Sequence, residues 1–90
     1  MGFRWRTADF VALVDGAFDD NGEWFVDVTL VHREMVDPVS RNNLIDEAKR
    51  ALILGVIEET QRGCALGAKK IRVAPKPRVR CAGKNDFLGL

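Results

Sequence analysis

Ninety residues, 47% hydrophobic and 30% charged with three prolines, suit one globular domain spanning 1–90, too short for a second core. The longest apolar run, Ala51 to Ile57, is interrupted by Gly55 and falls far short of the roughly 20 residues a membrane span needs, which argues against a membrane protein. The net charge of +1 conceals a polarity along the chain: residues 7–61 hold twelve acids against four bases, a local net of −8, while residues 62–84 hold eight bases and no acid.

The N-terminal FRWRT places Phe3 and Trp5 on one parity and Arg4 and Arg6 on the other. That interleaving serves base stacking with phosphate contact. The plainer expectation is that both aromatics anchor in the core of a small domain that needs every large side chain, with the arginines in water. No long apolar stretch follows these arginines, so the segment does not read as a secretory signal and a cytoplasmic chain is expected.

Phe10 to Phe18 fits a helical face or a strand on its own, and its neighbours decide for a strand. Asn21-Gly22 is the pair best able to adopt a tight turn, and the following WFVDVTLVHR is dense in aromatic and β-branched residues, so the two segments form a hairpin. On its second strand Trp24, Val26, Val28 and Leu30 share the face expected to point at the core, with Phe25, Asp27, Thr29, Val31 and Arg33 opposite. Asp37-Pro38 ends this strand. A helix is then expected from about Asn43 to Arg62, with Ser40, Asn42 or Asn43 as cap and Gly63 as its stop. Its sheet-facing stripe is Leu44, Ile45, Ala48, Ala51, Leu52, Gly55 and Val56. Ile53, Leu54 and Ile57 fall outside that stripe and require a second cover: the tail residues Phe87, Leu88 and Leu90, or the same patch on a second copy.

From Lys70 to Cys81 apolar and basic residues alternate, with Ile71, Val73, Val79 and Cys81 on one parity and Lys70, Arg72, Lys76, Arg78 and Arg80 on the other. Pro75 and Pro77 cannot donate to a ladder, so this strand lies at a sheet edge or is broken into two short pieces. The expected fold is α+β: a small antiparallel sheet, made of the N-terminal hairpin and the proline-interrupted basic edge strand, packed on one helix.

No constellation of chemistry-bearing residues emerges. GCALGAKK is one residue short of a phosphate loop and lacks its Ser or Thr, and the acids of DGAFDDNGE lack calcium-loop spacing. Cys64 and Cys81 have no zinc-type spacing and are expected as free buried thiols, and His32 as an edge-of-core residue. No metal, cofactor or small-molecule substrate is expected, and an enzyme is disfavoured. The basic strand carries the functional expectation, because alternate strand residues lie about 6.6 to 7 Å apart, close to the phosphate repeat of an extended nucleic-acid strand. A non-catalytic module is expected, binding RNA or single strands through Lys69, Lys70, Arg72, Lys76, Arg78 and Arg80 with Arg4 and Arg6. The alternative is a protein–protein interaction module, as a homodimer, small subunit or inhibitor, that meets an acidic protein surface and uses Ile53, Leu54 and Ile57 as interface. Edge protection, or pairing of the bases with the chain's own acidic half, competes with both.

Overall fold

A computed structural model of the chain describes residues 2–82, so the tail residues Lys84, Phe87, Leu88 and Leu90 lie outside the described residues. The elements run β1 (Phe3–Arg6), β2 (Phe10–Phe18), β3 (Trp24–Arg33), α1 (Pro38–Ala65), β4 (Ile71–Val73) and β5 (Arg78–Ala82). β1, β2 and β3 form an antiparallel meander, and β4 and β5 both pair with β3 in parallel. The result is the expected α+β architecture of one helix on a mostly antiparallel sheet, with the C-terminal strand both at the edge and broken in two. The parallel pairing follows from the long helical crossover between β3 and β4, which returns the chain to the end of the sheet where β3 began.

The hairpin forms where expected. Asp19 is its organising residue: its carboxylate accepts from the Asn21 and Glu23 amides, both at 2.9 Å, and Gly22 takes φ +77. Trp24, Val26, Val28 and Leu30 are all buried toward the helix, together with Phe10, Ala12 and Val14 of β2.

The helix is longer than expected at both ends. Asp37 is its cap and Pro38 its first residue, since a proline that terminates a strand is equally suited to the first helical turn, where its missing N–H is not needed. The Asp37 carboxylate accepts from the Ser40 amide at 3.0 Å and the Ser40 hydroxyl at 2.8 Å. Gly63 does not stop the helix; it is there for space. A Cβ on Gly63 would lie 2.5 Å from Trp24 Cδ1, and one on Gly55 would lie 2.5 Å from Phe3 Cδ1 and Val14 Cγ2. The line of α1 that touches the sheet is therefore Leu44, Ala48, Ala51, Gly55, Glu59 and Gly63, mostly small residues that let the helix sit close. Leu52 and Val56 are half-buried at its flank, and Ile45 is exposed.

Among the described residues Glu59 is the buried charge, 1% exposed. β1 reaches only as far as the Phe3–Val14 pair, so Gly16 lies beyond its end with no strand on that side. The Glu59 carboxylate accepts the Gly16 N–H at 3.1 Å and pairs with Arg62 at 3.3 Å, while the Glu59 carbonyl accepts from Trp24 Nε1 at 2.8 Å. One residue thus ties helix, hairpin and sheet edge together. Two further expectations change. Phe3 packs into the core, but Trp5 on the same edge strand stays 44% exposed, and both thiols, Cys64 and Cys81, are free yet exposed. Among the described residues no helix is long and apolar enough to cross a membrane.

Candidate nucleic-acid interface

The helix covers one face of the sheet. It packs mainly on β2, then on β3, and only lightly on β1 and β4. The opposite face carries the other parity of every strand, and the pairing register assigns its rows. Arg6, Val11, Val31 and Arg80 form one row across the sheet, and Arg4, Leu13, Thr29 and Arg78 form the next. Asp15 and Asp27 stand opposite each other in the third row, and Ala17, Phe25 and Arg72 make the fourth. Two arginines on one edge strand and two on the other therefore bracket Val11, Leu13, Thr29 and Val31, of which Leu13 and Thr29 are half-buried and form the accessible floor while Val11 and Val31 are fully buried. Three inter-strand steps of about 4.8 Å separate the edges, roughly 14 Å in all.

The shared face of Arg72, Arg78 and Arg80 depends on an insertion of even length. Arg72 lies beside Phe25 and Arg78 beside Thr29, so six steps along the C-terminal strand match four along β3. Two extra residues are absorbed between β4 and β5, where the Ala74 amide makes a ladder bond to the Val26 carbonyl at 2.9 Å and Pro75 and Pro77 have no N–H to offer. An odd insertion would have turned Arg78 and Arg80 toward the helix.

All eight basic residues expected at the site are exposed. The structure brings Arg4, Arg6, Arg72, Arg78 and Arg80 to one face. It leaves Lys69, Lys70 and Lys76 outside the strands, in the two connectors that flank β4. The apolar parity is only partly covered: Ile71 is half-buried, whereas Val73 and Val79 are 41% and 59% exposed. Pairing with the acidic half also occurs. Arg72 lies 3.5 Å from Glu23 and 3.8 Å from Asp19, and Arg78 lies 3.8 Å from Asp27. All have an exposed guanidinium on a half-buried carboxylate at long distance, and as solvent-screened pairs are worth about 0 to 1 kcal/mol each. Among the described residues no ion pair involves Arg4 or Arg6.

Phe25, 37% exposed beside Arg72, joins the face as an aromatic that the reading of basic residues alone passes over. Its parity on β3, shared with Asp27 and Thr29, was the available signal. A concave region of the same face is lined by Arg4, Leu13, Asp15, Asp27 and Thr29. Directly opposed carboxylates repel, so Asp15 and Asp27 interrupt the positive field between the second and fourth rows.

Ile53, Leu54 and Ile57 are 59%, 49% and 49% exposed on α1, away from this face. No family model, curated protein or solved structure matches the chain.

Proposed function

We propose that the chain is a binding module for single-stranded nucleic acid, RNA or DNA, and that the strand lies across the outer face of the sheet. One observation carries the reading: the register that sets Arg4 and Arg6 in the same rows as Arg78 and Arg80, around an uncharged floor. A span of roughly 14 Å is about two phosphate steps of an extended strand, so both edges engage one backbone while the intervening bases rest on the partly exposed Leu13 and Thr29 and on Phe25. A duplex offers no unstacked base to such a floor. The long, solvent-screened ion pairs of Arg72 and Arg78 do not oppose this reading, because a phosphate replaces a weak carboxylate partner at little cost.

Fluorescence anisotropy with mixed ten-nucleotide single strands and matched duplexes tests it. With four arginines engaged, the slope of log affinity on log salt is about −2.8, which is about 50-fold between 50 and 200 mM salt. Arg4→Ala and Arg78→Ala each lower the slope by about 0.7. Equal binding of the duplex, or slopes unaffected at both positions, sinks the proposal. Displacement by polyglutamate in preference to oligonucleotide would assign the face to an acidic protein surface.

A further inference from the structure

Among the described residues, the helix-side face of the sheet is covered over only about half its width. α1 is centred over β2 and β3, and helices packed side by side lie 8–10 Å apart, about the width of two strands. The neighbouring berth therefore falls over β4 and β5, whose helix-side residues Val73 and Val79 are 41% and 59% exposed. Two cavities run end to end along this trough. One encloses about 380 Å³ and includes Leu30, Leu44, Ile45, Leu52, Pro77 and Val79, and the other about 300 Å³, with Val28, Ile53, Val56, Ile57 and Val73. From Ile45 to Ile57 the trough is about 18 Å long at 1.5 Å per residue, three turns of helix. Its described lining is apolar except at one end, where Arg41, Lys49 and His32 supply the polar groups, with no acid among the described residues that line it.

An occupant must be helical in size, apolar over part of its length and acidic where it meets Arg41 and Lys49. A segment of that description lies on the outward side of α1 itself, where Ile53, Leu54 and Ile57 are exposed about two to three turns after the exposed Asp46 and Glu47. We propose that the trough between α1 and the β4–β5 edge seats α1 of a second copy of this chain. A two-fold axis parallel to the helices places the two α1 side by side between two sheets. Each helix then covers the bare strands of the other copy, and both trough and outward patch are buried in one closed, self-complementary contact. This arrangement keeps the outer faces of both sheets outside the contact and stands independently of their ligand.

Static light scattering on the full chain under reducing conditions, needed because Cys64 and Cys81 are exposed, is expected to give twice the chain mass at about 100 µM. Ile53→Asp and Val79→Asp, both at 59% exposed positions where the monomer fold tolerates a charge, each weaken association at least about tenfold with unchanged far-ultraviolet dichroism. Asp46→Lys also weakens it, and adding Lys49→Asp restores it. Dissociation by Ile53→Asp alone, with Val79→Asp silent, would mean the helices meet without entering the trough and would overturn the proposal. So would a wild type that stays monomeric. If deleting residues 83–90 from that monomer then newly exposes the trough to a hydrophobic dye, the cover is this chain's own tail.

Discussion

Replacing Glu59 should be the most damaging single change outside the apolar core, and the size of the loss can be worked out from its contacts. Glu59→Ala removes a charged acceptor from the Gly16 N–H, which has no other strand to turn to, and hydrogen bonds to charged groups are worth about 1.5 to 3 kcal/mol. Loss of side-chain methylenes from a site 1% exposed adds about 1 kcal/mol. The Arg62 pair adds less, because its guanidinium side is 42% exposed and screened by water. The expected cost is about 3 kcal/mol, which for a domain of this size lowers the melting temperature by about 12 to 24 °C. Glu59→Gln keeps the volume and an oxygen for Gly16, and should cost only about 1 kcal/mol. Urea unfolding followed by the fluorescence of buried Trp24 measures both, with an unchanged slope as the sign that stability alone has moved. Equal losses in the two variants would refute the role given to the Gly16 bond. A Gln variant more stable than wild type would show that desolvating the carboxylate outweighs its contacts, as happens for some buried ion pairs.

Asp27→Asn should strengthen single-strand binding by about three- to tenfold, since it releases Arg78 and removes one of two opposed carboxylates; an unchanged affinity in anisotropy would show that Asp27 does not compete with phosphate. Asp37 gives a pH signature. Hydrogen bonds from the Ser40 amide, then the Ser40 hydroxyl, with a smaller one from the Val39 amide, hold its carboxyl below the ordinary value of 3.8 against a modest effect of desolvation. Because the folded value is the lower one, the stabilisation is complete above pH 3.8 and is lost as pH falls through the depressed value. The advantage of wild type over Asp37→Ala in thermal melts should therefore shrink on acidification through that window, and a gap that stays constant would show that charge plays no part in the cap.

Much of the fold was legible because alternation is an unambiguous code. Trp24, Val26, Val28 and Leu30 are buried as their parity requires, and Arg72, Arg78 and Arg80 face outward as theirs requires. The errors arose where one residue type serves two purposes. Pro38 fits the end of a strand and also opens a helix; Gly63 fits a helix stop and instead makes room for Trp24. β1 shows in the sequence only as an interleaved segment, since four residues carry too little alternation to declare a strand until β2 is there to pair with it. The two-residue excess at Ala74–Pro77 leaves no local mark either, because parity survives an even insertion and only the register against β3 reveals it.

The polarity of the chain needs a different interpretation once folded. Segments of opposite charge that are far apart in sequence become neighbours, because the crossover through α1 lays β4 and β5 against β3 and brings Arg72 to Asp19 and Glu23, and Arg78 to Asp27. Net charge is then a poor guide to the field of the outer face. What matters is which cations hold partners that a phosphate can displace, and the structure grades them. Arg4 and Arg6 sit on the β1 edge with no ion pair among the described residues, while Arg72 and Arg78 are held by half-buried carboxylates at 3.5 to 3.8 Å. A ligand backbone should therefore engage the β1 edge first and the β4–β5 edge second, the latter by exchange. The salt slope is set by the number of phosphates finally bound, whereas the affinity at fixed salt is reduced by the pairs that must be broken. The two quantities separate under mutation: Arg4→Ala changes the slope, and Asp27→Asn changes the affinity while leaving the slope in place.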